Sequence, residues 1–118
     1  MNFIYVFRYK TFFRKMELAL TVEELKKGLL GRTTAGQGMF LMGADAIHTF
    51  NMKFPIDVVY LNATGLVIGL EEKLGPNRQG RRIQDARHVA EFNPGTIRQY
   101  QIKVGEQWYW QIASTSNE

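Results

Sequence analysis

Between positions 48 and 57 the chain reads His48-Thr-Phe-Asn-Met-Lys-Phe-Pro-Ile-Asp57, setting a histidine, a lysine and an aspartate among large apolar residues. Charge in such surroundings is costly unless it is paired. His48 could exchange a proton or bind a ligand near neutral pH. Its structural alternative is a buried neutral histidine with a backbone hydrogen bond. Asp57, just after Phe-Pro-Ile, is suited to accept backbone N–H groups and fix the bend, and this is preferred over catalysis. Lys53 could clamp a substrate, but reads more simply as a solvated or strand-edge lysine. Arg32 could grip an anionic ligand with both arms. Equally, it could complement a helix end or pair with Asp57 or Glu91. Arg32, His48, Lys53 and Asp57 are the residues expected to touch a ligand.

Other chemistry is sparsely supplied. The chain has no cysteine, which removes a disulfide framework, a thiol nucleophile and a thiolate metal site. It has only two histidines, neither with a second ligand at metal spacing, so no metal and no cofactor are expected. No Gly-rich phosphate loop follows a strand, and no G-x-S-x-G elbow is present. Arg78, Arg81, Arg82 and Arg87, beside His88, form the best nucleic-acid surface. Asp85, Glu71 and Glu72 dilute it, and no aromatic residues interleave for base stacking. A net charge of +4 is a mild basic bias. Trp108, Tyr109 and Trp110 could form a carbohydrate platform; alternation more simply buries both tryptophans and exposes Tyr109. Glu91, on a short apolar strand, needs a partner such as Arg32 or Arg87.

These residues must be held by a mainly β scaffold. Phe3–Phe7 and Met16–Leu20 read as strands. Thr21-Val-Glu-Glu24 is a capping box, opening a short helix from about Val22 to Leu29 that Gly31 can end. Strands are expected at Met39–Met42, Ile47–Phe54, Ile56–Leu61, Leu66–Leu70, His88–Phe92 and Gln107–Ile112, with turns at Asn62–Gly65 and Asn93–Gly95. In Ile47–Phe54 the alternation places His48, Phe50, Met52 and Phe54 on one face and Thr49, Asn51 and Lys53 on the other. Glu71–Arg87 reads as a long surface loop. Thr96–Tyr100 is suited to a single helical turn. The 118 residues fit one domain. The expected fold is a compact β-barrel or sandwich of about seven or eight short strands with one short helix in the N-terminal half.

From about Glu17 to Trp108 the chain resembles the DUF192 family, small bacterial and archaeal domains of unassigned function. Three ordered segments carry the resemblance. Glu24-Leu-Lys-Lys-Gly-Leu-Leu-Gly-Arg32 is similar to the family's helix and its Gly-Leu-Met-x-Arg ending, with Leu30 in place of methionine. Gly38-Met-Phe40 with the 48–57 stretch is similar to a branch carrying Phe-Pro-Ile-Asp. Ala86-Arg-His-Val-Ala-Glu91, Pro94-Gly95 and Val104-Gly105 resemble the closing strand, turn and Gly-Asp step, with Glu106 replacing the aspartate and Asn51 a further departure. The resemblance implies one β-rich domain. Residues 1–15 would add an N-terminal strand outside the resemblance, 16–112 would form the DUF192-like core, and 113–118 a small polar tail that frays.

The preferred function is a non-catalytic binding module for a small ligand or peptide. Its cleft is expected between the His48–Asp57 segment and the loop Glu71–Arg87. One alternative is an enzyme acting on a small anionic or sugar-like substrate with His48 and Asp57 as acid and base. Another is nucleic-acid binding through loop 78–88, the less favoured partner. With no apolar stretch of membrane-spanning length and no signal-like segment, a cytoplasmic protein without membrane contact is expected. It would be a monomer or weak homodimer, with Phe3–Phe7 available for edge pairing.

Overall fold

The computed structural model describes residues 2–113. The expected polar tail lies outside the described residues, save for Ala113. Seven runs rich in β-branched and aromatic residues become strands of one sheet: β1 (Asn2–Arg8), β2 (Thr11–Ala19), β3 (Met39–Met42), β4 (Ile56–Leu61), β5 (Val67–Leu74), β6 (His88–Phe92) and β7 (Trp108–Ala113). Two short helices, α1 (Val22–Lys27) and α2 (Thr96–Tyr100), accompany them. The spatial order is β5-β4-β6-β3-β2-β1-β7. Among the described residues, only the β2–β3 pair is parallel. Its crossover carries α1.

The mainly β expectation holds, but the sheet is neither closed into a barrel nor split into a sandwich. Its edges, β5 and β7, meet at one corner only. There Trp108 N–H donates to Gly65 O at 2.8 Å and Val67 N–H to Glu106 O at 2.9 Å. Gly65 has φ +90°, and a Cβ on it would stand 2.2 Å from Trp108 O, so this corner requires a glycine. Strand β1, expected as a candidate edge, is internal, between β2 and β7.

Each face of the sheet carries its own core. Ile4, Val6, Met16, Leu18, Phe40, Val59, Leu61, Phe92, Ile97 and Trp108 pack on one side. Leu29, Met39, Leu41, Ile56, Val58, Tyr60 and Val89 pack on the other. Because β4 and β6 are internal strands covered on both faces, every residue of β4 is buried, as are four of five in β6. A side chain's face is then set by position parity alone.

Three expectations about elements are corrected. Ile47–Phe54 is not a strand: it makes only an isolated bridge between His48 and Gln79. Its burial is inverted at 48–50, with Thr49 at 0% exposure while His48 and Phe50 are exposed, although Met52 is buried and Asn51 and Lys53 exposed as the alternation required. A turn from Thr49 O to Met52 N–H and a left-handed Asn51 (φ +63°) break the ladder before Pro55. Strand β5 runs on to Leu74 through a register shift opposite Ile56–Val58, shortening the following loop. Strand β2 begins at Thr11, extending a hairpin with β1.

Candidate functional site

The capping box forms as the sequence requires. Thr21 Oγ1 accepts Glu24 N–H at 3.1 Å, and Glu24 Oε1 accepts Thr21 N–H at 3.0 Å. With only six residues, α1 owes its stability to this cap and to tertiary packing. It ends at Gly28, whose φ of +46° turns the chain down so that Leu29 is buried.

Facing this turn is the irregular segment after β3. Thr49 holds it in place: Oγ1 donates to Gly75 O at 2.5 Å and accepts Arg78 N–H at 2.9 Å. Its backbone N–H donates to Arg78 O at 2.8 Å, and its carbonyl accepts Asn77 N–H at 2.8 Å. This fastening leaves His48 and Phe50 outward, their rings stacked with centroids 4.6 Å apart.

Between α1 with its turn and this segment lies a cleft of about 300 Å³. Leu25, Leu29, Leu41, Ile47 and Met52 give it an apolar lining. Lys26, Lys27, Asp45 and His48, all exposed, supply its outer polar groups. Its inner wall includes Glu91, only 3% exposed. On β6 the parity that buries Val89 also turns Glu91 to this face, between Met39 of β3 and Val58 of β4.

Glu91 has no hydrogen bond or ion pair among the described residues. Arg32 grips Glu17 instead, Nη1 to Oε1 at 2.6 Å and Nη2 to Oε2 at 2.8 Å. Arg87 Nη1 donates to Ala86 O at 3.0 Å. Burial pushes the Glu91 carboxyl from its ordinary 4.5 up to about 7.

Of the four residues expected at a site, His48 lines this cleft. Asp57 is fully buried on the opposite face of the sheet. Its Oδ1 accepts Lys73 N–H at 2.9 Å; its Oδ2 accepts Gly95 N–H at 3.0 Å and Ile97 N–H at 2.9 Å. It clamps the β5 bulge, where Lys73 has φ +53°, to the turn before α2. His48 and Asp57 are thus not gathered at one opening. Lys53 is exposed, and the basic loop residues Arg78, Arg81, Arg82 and Arg87 are exposed outside the cleft. The cleft itself lies against α1 rather than against the loop that follows β5.

Sequence reasoning missed Thr49, a small polar residue with no local signal. Glu91 carried one, a lone charge in His-Val-Ala-Glu-Phe, but a partner had been expected for it. A further buried carboxylate, Glu106, is fully engaged. It accepts from Arg8 Nε and Nη2 at 2.9 and 2.7 Å, from Trp108 Nε1 at 3.0 Å and from Lys103 N–H at 3.0 Å. Burial works to raise its pKa, but these bonds outweigh it and hold the carboxyl below the usual range.

A family model for uncharacterized ACR domains matches residues 8–110, from the end of β1 into β7. The chain belongs to the DUF192 family. The DUF192 match begins earlier than the motif-bearing stretch from Glu17, and takes in the β1–β2 turn and all of β2. No curated protein matches the chain significantly. Two solved structures are similar to it. One is a protein of unknown function from Novosphingobium aromaticivorans DSM 12444, 23% identical with TM-score 0.74, the match covering 92% of this chain and 84% of that one. The other is a candidate transcription regulator from Sinorhizobium meliloti 1021, 17% identical with TM-score 0.73, covering 92% of each chain. At these identities the likeness shows the fold alone. Among the described residues, no helix is long and apolar enough to cross a membrane. Nor is any group of three or more His, Asp or Glu placed to hold a metal ion.

Proposed function

We propose that this DUF192 domain is a non-catalytic binding module, and that the cleft between α1 and the segment 44–52 takes a small, mostly apolar ligand. The observation that carries this reading is Glu91: a carboxyl group without a protein partner, set in the wall of an apolar cleft of ligand size. The apolar lining would bury the body of the ligand, and Glu91 would meet its one polar group. His48 and Phe50, stacked at the entrance, would cover it. A non-catalytic role is supported by the chemistry in reach. No serine, cysteine or second buried acid lines the cleft among the described residues, and Asp57 is committed to backbone groups.

The test is methyl NMR on the intact chain titrated with three short-chain probes: n-hexylamine, 1-hexanol and hexanoate. Saturable shifts at the methyls of Leu25, Leu29, Leu41, Ile47 and Met52 are expected for at least one probe. Shifts confined to other regions, or none for any probe, would overturn the assignment.

A further inference from the structure

Resting on that cleft reading, we propose that the polar end of the ligand is a cation: the cleft selects small primary amines with an apolar tail, the ammonium seated on the Glu91 carboxylate beside Gly28. Two observations on opposite walls converge on this point. Glu91 is buried with no donor directed at either oxygen among the described residues. Across from it, Gly28 has no side chain, and the place where its Cβ would stand lies 3.8 Å from Glu91 Oε1 and 3.9 Å from Leu25 O. No other heavy atom outside Gly28 and its chain neighbours lies within 4 Å of that place. Glu91 Oε1 and Leu25 O therefore border the bare face of Gly28, where no side chain blocks the approach to the carboxyl group. An ammonium group carries three donors and the missing charge.

No charged group on the rim pairs with the Glu91 carboxyl among the described residues. The other titratable groups lining the cleft are Lys26, Lys27, Asp45 and His48, all exposed; Tyr60, buried on the same face of the sheet, bonds Glu71. Neither lysine comes within ion-pair distance of Glu91. Burial alone, with no compensating cation, raises the Glu91 pKa to about 7, and a bound ammonium would reverse that shift. In a water-poor cleft the attraction between the two charges is felt more strongly than in solvent. The rim lysines would attract an anionic ligand that the Glu91 carboxylate repels, so hexanoate is the informative competitor.

The experiment measures affinities of n-hexylamine, 1-hexanol and hexanoate for the intact chain at pH 8, where Glu91 is ionised, with wild type and Glu91→Gln. In wild type the amine is expected to bind about tenfold tighter than the alcohol, with hexanoate weakest. In Glu91→Gln the amine advantage should vanish while the alcohol still binds, which also shows the variant folded. Lowering the pH of wild type to 5 should remove the same advantage without any substitution. Repeating that shift in Glu91→Gln isolates the contribution of groups other than Glu91. If the alcohol equals the amine, if hexanoate binds best, or if Glu91→Gln leaves the amine advantage intact, the cation assignment falls and the cleft stands. If none of the three probes binds, the cleft falls with it.

Discussion

Asp57 and Glu91 sit on neighbouring strands, β4 and β6, one register step apart: Asp57 pairs with Phe92, and Val58 pairs with Glu91. Both carboxyl groups are buried, at 0% and 3% exposure. That single step puts them on opposite faces of the sheet, with opposite consequences. On the Asp57 face the chain returns in a bulge and a turn, each presenting N–H groups, and three of them converge on the carboxylate. On the Glu91 face a short helix and an irregular segment stop short of closing, and no donor arrives. One carboxylate is a structural clamp. The other has no hydrogen-bond or ion-pair partner among the described residues. Burial of charge is therefore no sign of function by itself; what distinguishes the two is whether the fold supplies the donors.

The contrast can be broken most directly at Asp57. Replacing it with Ala strands three N–H groups, two in the turn entering α2 and one at the β5 bulge. Since each buried N–H left without an acceptor costs roughly 1–3 kcal/mol, Asp57→Ala should destabilise by about 3–5 kcal/mol in chemical denaturation. A loss below about 1 kcal/mol would mean that this clamp does not hold the fold.

Glu91→Gln should behave in the opposite sense, and with pH. In the unfolded chain the carboxyl ionises near 4.5, whereas in the fold it does so at about 7. The native state thus binds more protons between these values, so its stability falls as pH rises through that window and levels off above it. The total is on the order of 3 kcal/mol. Denaturation at pH 5 and pH 8 should show wild type losing stability relative to Glu91→Gln. Parallel pH dependences in the two proteins would show that Glu91 is not an uncompensated buried acid.

A smaller effect separates two adjacent residues of the same segment. Thr49→Val removes an inward hydroxyl that fastens the segment to the loop after β5, and should cost about 1–3 kcal/mol. His48→Ala, at the exposed entrance, should change stability by less than about 0.5 kcal/mol. Similar losses for both in thermal or chemical unfolding would contradict this division of the segment into fastening and lining.

Much of the scaffold was legible because its signals are local. The capping box Thr21–Glu24, the Asn62–Gly65 hairpin turn, the apolar run of β4 and the short strand at His88–Phe92 each depend on neighbours within a few positions. The segment 47–54 misled because its alternating pattern is compatible with a strand, while the turn at Thr49–Met52 and the bonds from Thr49 to residues 75–78 override it. Local alternation cannot register a hydrogen-bond partner some 26 to 29 positions away.

By itself the sequence determined the β-rich class, most strand positions, the short capped helix, the lack of thiol chemistry and the membership in DUF192. These follow from side-chain type and short-range spacing, which act before any long-range contact forms. Tertiary structure alone decided that the sheet stays open, that His48 faces outward, and that the backbone donors expected for Asp57 come from Lys73, Gly95 and Ile97 while Glu91 receives none. The physical reason is that a carboxylate's state depends on which donors the rest of the chain brings to it. Arg32 chose Glu17, the turn at Gly95–Ile97 chose Asp57, and Glu91 in the cleft beneath α1 was left without a donor among the described residues.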